Sequence, residues 1–265
     1  AIVGAVMPLV AVGRRLIPIQ VDGPTARRAY DYAWPLLVRN LGIAGVIYVD
    51  LLVIRHYLGP AEAGRYDVAY RIAEQVLILG IVLEFVAGPI LATAAARKDA
   101  ETLTRLYRLL APQLSWLWGL GAALLIVVAE PALTLLGAKG VQESAAVLKV
   151  LALAVALRGP TFIESAVFEA NLLSRWPTVF FFLALGVNLA LDIGFMETTD
   201  WGLMGPALGT IACFLVHGLL REGYMAKRFK VVALRPYLGV VPALLMLGID
   251  VAAGGALLVP LLAWS

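Results

Sequence analysis

The stretch that decides the fold runs from Asp50 to Ala92, DLLVIRHYLGPAEAGRYDVAYRIAEQVLILGIVLEFVAGPILA. It closes one apolar span, turns through a short Gly-Pro loop, and fills a second span that carries Arg71, Glu74 and Glu84. A charge inside a lipid-length apolar segment costs at least about 2.5–3.5 kcal/mol, so such groups face a bundle interior or a watery cavity. Three of them in one helix, with Arg39 and Asp50 in the helix before it, predict a cavity of the kind transporters use.

Composition agrees. The chain has 265 residues, 62% of them hydrophobic, and a mean hydropathy of +0.89. A soluble domain is nearer ~45–50% apolar. Apolar segments of about 20 residues recur between short polar turns, which implies helical spans rather than the alternating strands of a barrel. The fold class is therefore all-α, a polytopic transmembrane helix bundle. The net charge of +3 follows from basic loops and does not indicate nucleic acid. The single Cys213 lies in a span, which excludes a disulfide framework and a zinc site.

Working outward, the spans fall at about Trp34–Ile54, Val68–Thr93, Leu109–Ala129, Ala146–Ala170, Pro177–Met196 and Met204–Tyr224, with a last one from Tyr237 onward. Residues 1–20 read as the tail of a transmembrane helix, 21–33 as a cytoplasmic connection, and 34–265 as one lobe of about seven spans. Both termini stop inside apolar sequence, which suggests a fragment of a longer protein. RKDAETLTRLYR, from Arg97, reads as a separate surface helix. Alternate loops hold Arg14, Arg15, Arg27, Arg28, Arg97, Lys98, Arg105, Arg108, Arg175, Lys227, Arg228, Lys230 and Arg235. The loops between them hold only Arg55, Arg65 and Lys139. By the positive-inside rule the first set is cytoplasmic.

Arg39 and Asp50 lie about three turns apart on nearly one helix face. If the next span packs against it antiparallel, Asp50 meets Arg71 and Glu74 at one depth and Arg39 meets Glu84 at another. Two readings stay open. The charges could be buried ion pairs that fix register. Alternatively they line a cavity where arginines meet an anionic substrate and carboxylates carry protons or balance charge. The Ala146–Ala170 span adds Lys149, Arg158, Glu164 and Glu169, and its Arg158-Gly159-Pro160 predicts a kink. Asp192, with Asn188 one turn before it, reads as an interfacial carboxylate. Trp116 and Trp118 read as packing or interface residues, and His56 and His217 as structural. No G-x-S-x-G, H-E-x-x-H or Walker sequence occurs, and the loops are short, so an enzyme is not expected.

The organising stretch resembles the polysaccharide-transport branch of the multidrug/oligosaccharidyl-lipid/polysaccharide flippase superfamily. The resemblance rests on Asp50 followed by Leu58-Gly59, then on Gly64, Tyr66, Ala69 and Ile72, and on LTLLGAKGVQESAAVLKVLAL further along. It covers roughly Arg27 to Lys230. It implies the C-terminal lobe of a two-lobed transporter, with Arg14–Arg28 as the connection between lobes. The implied function is flipping of polyprenyl-diphosphate-linked oligosaccharide across the bacterial cytoplasmic membrane by alternating access, with no cofactor and no metal. By resemblance, Arg71 would contact the substrate diphosphate and Glu74 would hold it in place or couple charge movement. Arg39 and Arg158 would join in binding, and Asp50, Glu84 and Glu164 would couple or balance charge. Implied partners are the lipid-linked oligosaccharide, membrane lipid, a missing N-terminal lobe, and polysaccharide polymerase or glycosyltransferase machinery. The acidic excess of Asp50, Glu74, Glu84 and Glu164 over Arg39, Arg71 and Arg158 keeps a cation-coupled multidrug antiporter in play. A non-transporting scaffold of an envelope-polysaccharide complex is the third reading.

Overall fold

A computed structural model describes residues 22–97, 99–138, 140–230 and 235–254. The expected helix tail at 1–20, and a further helix after Gly254-Gly255, lie outside the described residues. Every regular element within them is helical: α1 Gly23–Tyr57, α2 Pro60–Gln75, α3 Ile78–Ala96, α4 Ala100–Leu135, α5 Val141–Arg158, α6 Pro160–Ala170, α7 Arg175–Thr198, α8 Met204–Phe229, a 3-10 turn at Arg235–Val240, and α9 Val241–Ala252. Among the described residues, four stretches are long and apolar enough to cross a membrane: Glu101–Leu135, Val141–Ala170, Arg175–Thr198 and Met204–Phe229. The chain is a multi-pass membrane protein.

Three boundaries depart from the sequence reading. The stretch 21–33 is helical from Gly23 and continuous with the first span, started by the Asp22 carboxylate, which accepts from the Thr25 N–H at 3.2 Å. The basic segment after Arg97 is not a separate surface helix; it forms the first turns of the 36-residue α4. Asp99 caps it by accepting from the Thr102 N–H at 2.9 Å. Leu103, Tyr107 and Ala111, at four-residue spacing, then bury one stripe of it. The span expected over Val68–Thr93 is two helices, α2 and α3, parted at Val76 and Leu77. The interruption expected at Arg158-Gly159-Pro160 is present, where α5 gives way to α6.

The central element is α5. All its residues from Ser144 to Ala152 are buried, as expected of a helix that is apolar on every side. One exception is Lys149, whose ammonium donates to Glu130 on α4 at 3.1 Å and to Asp250 on α9 at 2.7 Å. Around α5 the packed residues form two main clusters. One joins Tyr66, Ala69, Ala73, Trp118, Ile126, Leu148 and Leu151. The other joins Leu91, Ala94, Tyr107, Ala111, Ile163, Val167, Phe168 and Met225. The second lies toward the basic loops, here called the basic end; the first lies toward the opposite end.

Candidate functional site

Two polar centres occupy the bundle, one in each half. The first is built on Asp50, near the end of α1 and fully buried. Tyr66 donates its hydroxyl to Asp50 Oδ2 at 2.7 Å, and Thr210 of α8 donates to the same oxygen at 2.8 Å. The Asn188 amide of α7 donates to Asp50 Oδ1 at 3.1 Å and to Asp192 Oδ2 at 2.9 Å. Asn188 Oδ1 and Asp192 Oδ1 are buried with no hydrogen-bond partner. Among the described residues no arginine or lysine ion-pairs with either carboxylate. Four helices thus point two carboxylates, an amide and two hydroxyls at one buried spot. Carboxylate, carbonyl and hydroxyl oxygens suit a hard cation or a shared proton.

The second centre is a cavity of about 480 Å³, from mid-depth toward the basic end. Its walls include Arg39 and Asn40 of α1, Glu74 of α2, Arg158 of α5, Thr161 and Ser165 of α6, and His217 and Arg221 of α8. The three arginines differ in how they are held. Arg221 is 1% exposed; it donates to Glu164 Oε2 at 2.7 Å, to the Ser165 hydroxyl at 3.0 Å and to the Thr161 carbonyl at 3.1 Å. Among the described residues Arg39 makes one bond, 3.0 Å to Glu169, and its Nε has no partner. Among the described residues Arg158 pairs with no carboxylate; it lies between two rings, 5.7 Å from the Phe162 centroid and 5.3 Å from that of Phe214. A cation held against aromatic faces keeps its charge with little water around it. This cavity therefore offers spare guanidinium donors to an anion, and bidentate Arg–phosphate pairing is the strongest use of them.

The structure redistributes the expected residues. Arg71 does not meet Asp50: its side chain is 69% exposed and bonds Asp67 at 2.8 Å. The cause is helix phase. Tyr66, Ala69, Tyr70 and Ala73 form the buried face of α2, and Asp67, Arg71 and Glu74 follow one another at four and three residues on the exposed one. Glu74 reaches the cavity wall without reaching Asp50. Arg39 pairs with Glu169, not with Glu84, and the Glu84 side chain lies outside the described residues. Glu164 is the buried partner of Arg221. Asp192 is fully buried beside Asn188 rather than interfacial. Trp118 packs as expected, stacked on Phe162, and His217 lines the cavity. Sequence reasoning passed over Arg221, Glu222 and Thr210. The signal for the first two was there, since charges at 221 and 222 fall inside an apolar span.

Compared with known protein families, curated proteins and solved structures, the chain matches none.

Proposed function

We propose that the chain is one lobe of a flippase that moves polyprenyl-diphosphate-linked oligosaccharide across the bacterial cytoplasmic membrane by alternating access. The observation that carries this reading is the arginine-lined cavity, in which Arg158 has no carboxylate partner among the described residues. An apolar protein keeps an unpaired cation at mid-depth at a cost, and a diphosphate passing through would offset that cost. In this reading Arg158 and Arg39 hold the diphosphate, and the sugar and lipid remain outside the pocket. The Asp50 centre binds the coupling cation, a proton or a sodium ion, separately from the substrate. The exposed stripe of Asp67, Arg71 and Glu74 on α2 is poorly suited to lipid. It supports a second lobe facing that side, with Arg71 completing the phosphate contacts from the rim. The family resemblance points the same way.

The test uses cells lacking the gene and asks which membrane leaflet accumulates lipid-linked oligosaccharide. Inner-leaflet accumulation, relieved by wild type and not by inserted Arg158→Ala, is expected; Arg71→Ala should retain more function than Arg158→Ala. Full export by Arg158→Ala would sink the cavity as the substrate site. The Asp50 centre favours one other reading, a cation-coupled multidrug antiporter. Drug sensitivity that depends on Asp50, with polysaccharide export unaffected, would select it.

A further inference from the structure

The two interrupted spans break at one level. At the first break, Val76 N–H reaches the Ala73 carbonyl at 3.3 Å, and Leu77 N–H reaches that of Glu74 at 2.9 Å. Gly80 N–H reaches that of Leu77 at 2.9 Å. These are three-residue steps, the 3-10 pattern that marks hinges inside helices. At the second break Pro160 has no N–H to give, and Phe162 N–H turns to the Gly159 carbonyl at 3.2 Å. The breaks touch. A Cβ at Gly80 would sit 2.5 Å from the Phe162 ring, and one at Gly159 would sit 2.8 Å from Trp118. The Trp118 and Phe162 rings stack at 5.6 Å with 12° between their planes. Two glycine notches therefore close on one aromatic stack. α4 stays continuous but carries a proline, Pro112, on the basic side of Trp118.

Beyond this layer α3 and α6 pack on each other and on the start of α4, sharing the Leu91, Tyr107 and Val167 cluster. By contrast α1, α7 and α8 each run past the layer as one helix. Among the described residues, polar links from Arg221, Tyr107 and Arg39 tie the basic-end body to those continuous helices. Arg221–Glu164 and Tyr107–Glu222, the latter at 2.8 Å, are buried and join it to α8. Arg39–Glu169 joins it to α1 and is different in kind. It is a single bond, Glu169 keeps 34% of its side chain exposed, and Arg39 lines the cavity with a free Nε.

We propose that Arg39–Glu169 is a ligand-released latch. An anion in the cavity takes the Arg39 guanidinium from Glu169, and the ends of α3 and α6 then swing together away from α1 about the Gly80–Phe162–Gly159 layer. Phosphate competes well for arginine because it is more highly charged than a carboxylate and equally able to pair bidentately. The cavity wall includes residues on both sides of each break: Gln75 and Ile78 at the first, Arg158 and Thr161 at the second. Occupancy and bending are thus linked through shared side chains. The latch rests on the cavity taking an anion, and its test separates the two claims.

The experiment places spin labels on the full-length protein in lipid nanodiscs. One pair, at Ala33 on α1 and Leu172 just after α6, spans the latch; the other, at Ala96 and Leu172, lies within the moving body. All three positions are exposed. The probe is inorganic diphosphate, with its binding followed separately by calorimetry. Diphosphate should bind, populate a longer Ala33–Leu172 distance and leave Ala96–Leu172 unchanged. Glu169→Gln should raise the long-distance population roughly fivefold with no anion present, as loss of a partly exposed ion pair predicts. Binding with no change across the latch, or a silent Glu169→Gln, overturns the latch and leaves the anion site standing. No diphosphate binding overturns both.

Discussion

The two polar centres answer the same problem, charge inside an apolar bundle, in opposite ways. Around Asp50 the protein gathers acids with no base, closes them off completely, and supplies only neutral donors from Tyr66, Thr210 and Asn188. Around Arg158 it gathers bases, leaves an open volume, and neutralises two of the three arginines to different degrees. The first centre is packed from four helices and fully buried. The second has room for a charged group of several atoms. A bundle that needed charges only to fix helix register would pair them one to one, as Arg221 and Glu164 are paired. In the reading proposed above, the departures around Asp50 and Arg158 are where binding would happen.

Three changes would break or sharpen this contrast. The largest effect is expected at the sealed pair. Arg221→Leu strands the Glu164 carboxylate in the interior and should cost about 3–5 kcal/mol in unfolding free energy, while adding Glu164→Leu should recover most of it. Equal stability for single and double variants would mean the pair is not structural. Next comes Asp50→Asn, which removes the charge that, in the proposed reading, would draw the cation. Ion-driven transport in vesicles should fall at least about 100-fold with little change in thermal stability. Undiminished transport would return Asp50 to a purely architectural role.

The smallest effect lies outside the membrane, at the cap of α4. The Thr102 hydroxyl and backbone N–H hold the Asp99 carboxyl below its usual range. A depressed folded-state value means the stabilisation is complete above the unfolded value of about 3.9 and is lost as pH falls through the lower folded value. Hydrogen exchange, corrected for its intrinsic rate, should show the first turn of α4 equally protected at neutral and mildly acidic pH and less protected below that. Asp99→Ala should remove the dependence. An identical acid profile in that variant would take the cap out of the account.

Much of the architecture was legible from residue order alone. Apolar length and short polar turns gave the helical class and the spans, and Arg158-Gly159-Pro160 located one break. The other break was not legible, because Val76 and Leu77 carry no proline. It depends on Phe162 packing against Gly80, a contact 82 residues away in sequence. The site was half legible. Depth along a helix follows from counting, so Arg39, Asp50 and Glu164 were sensed as buried polar groups, and Arg158, half-buried, as a charge inside a span. Partner choice depends on rotation about the helix axis and on which helices are neighbours. Asp50 therefore faces α7 and α8 rather than Arg71, and Arg39 faces Glu169 rather than Glu84. Asp192 shows the same limit, since only the packing of α7 against α8 shows that it points inward.

Lys149 has a history as well as a place. Its two carboxylate partners are made at different times: Glu130 precedes it by 19 residues, and Asp250 follows it by 101. At about 5–20 residues per second the ribosome needs roughly 5–20 s to bridge that second gap. Through that interval the nascent chain holds a lysine in its central helix with half of its final neutralisation. α9 is then the piece whose arrival completes the charge balance of α5, so the last described helix seals the middle one.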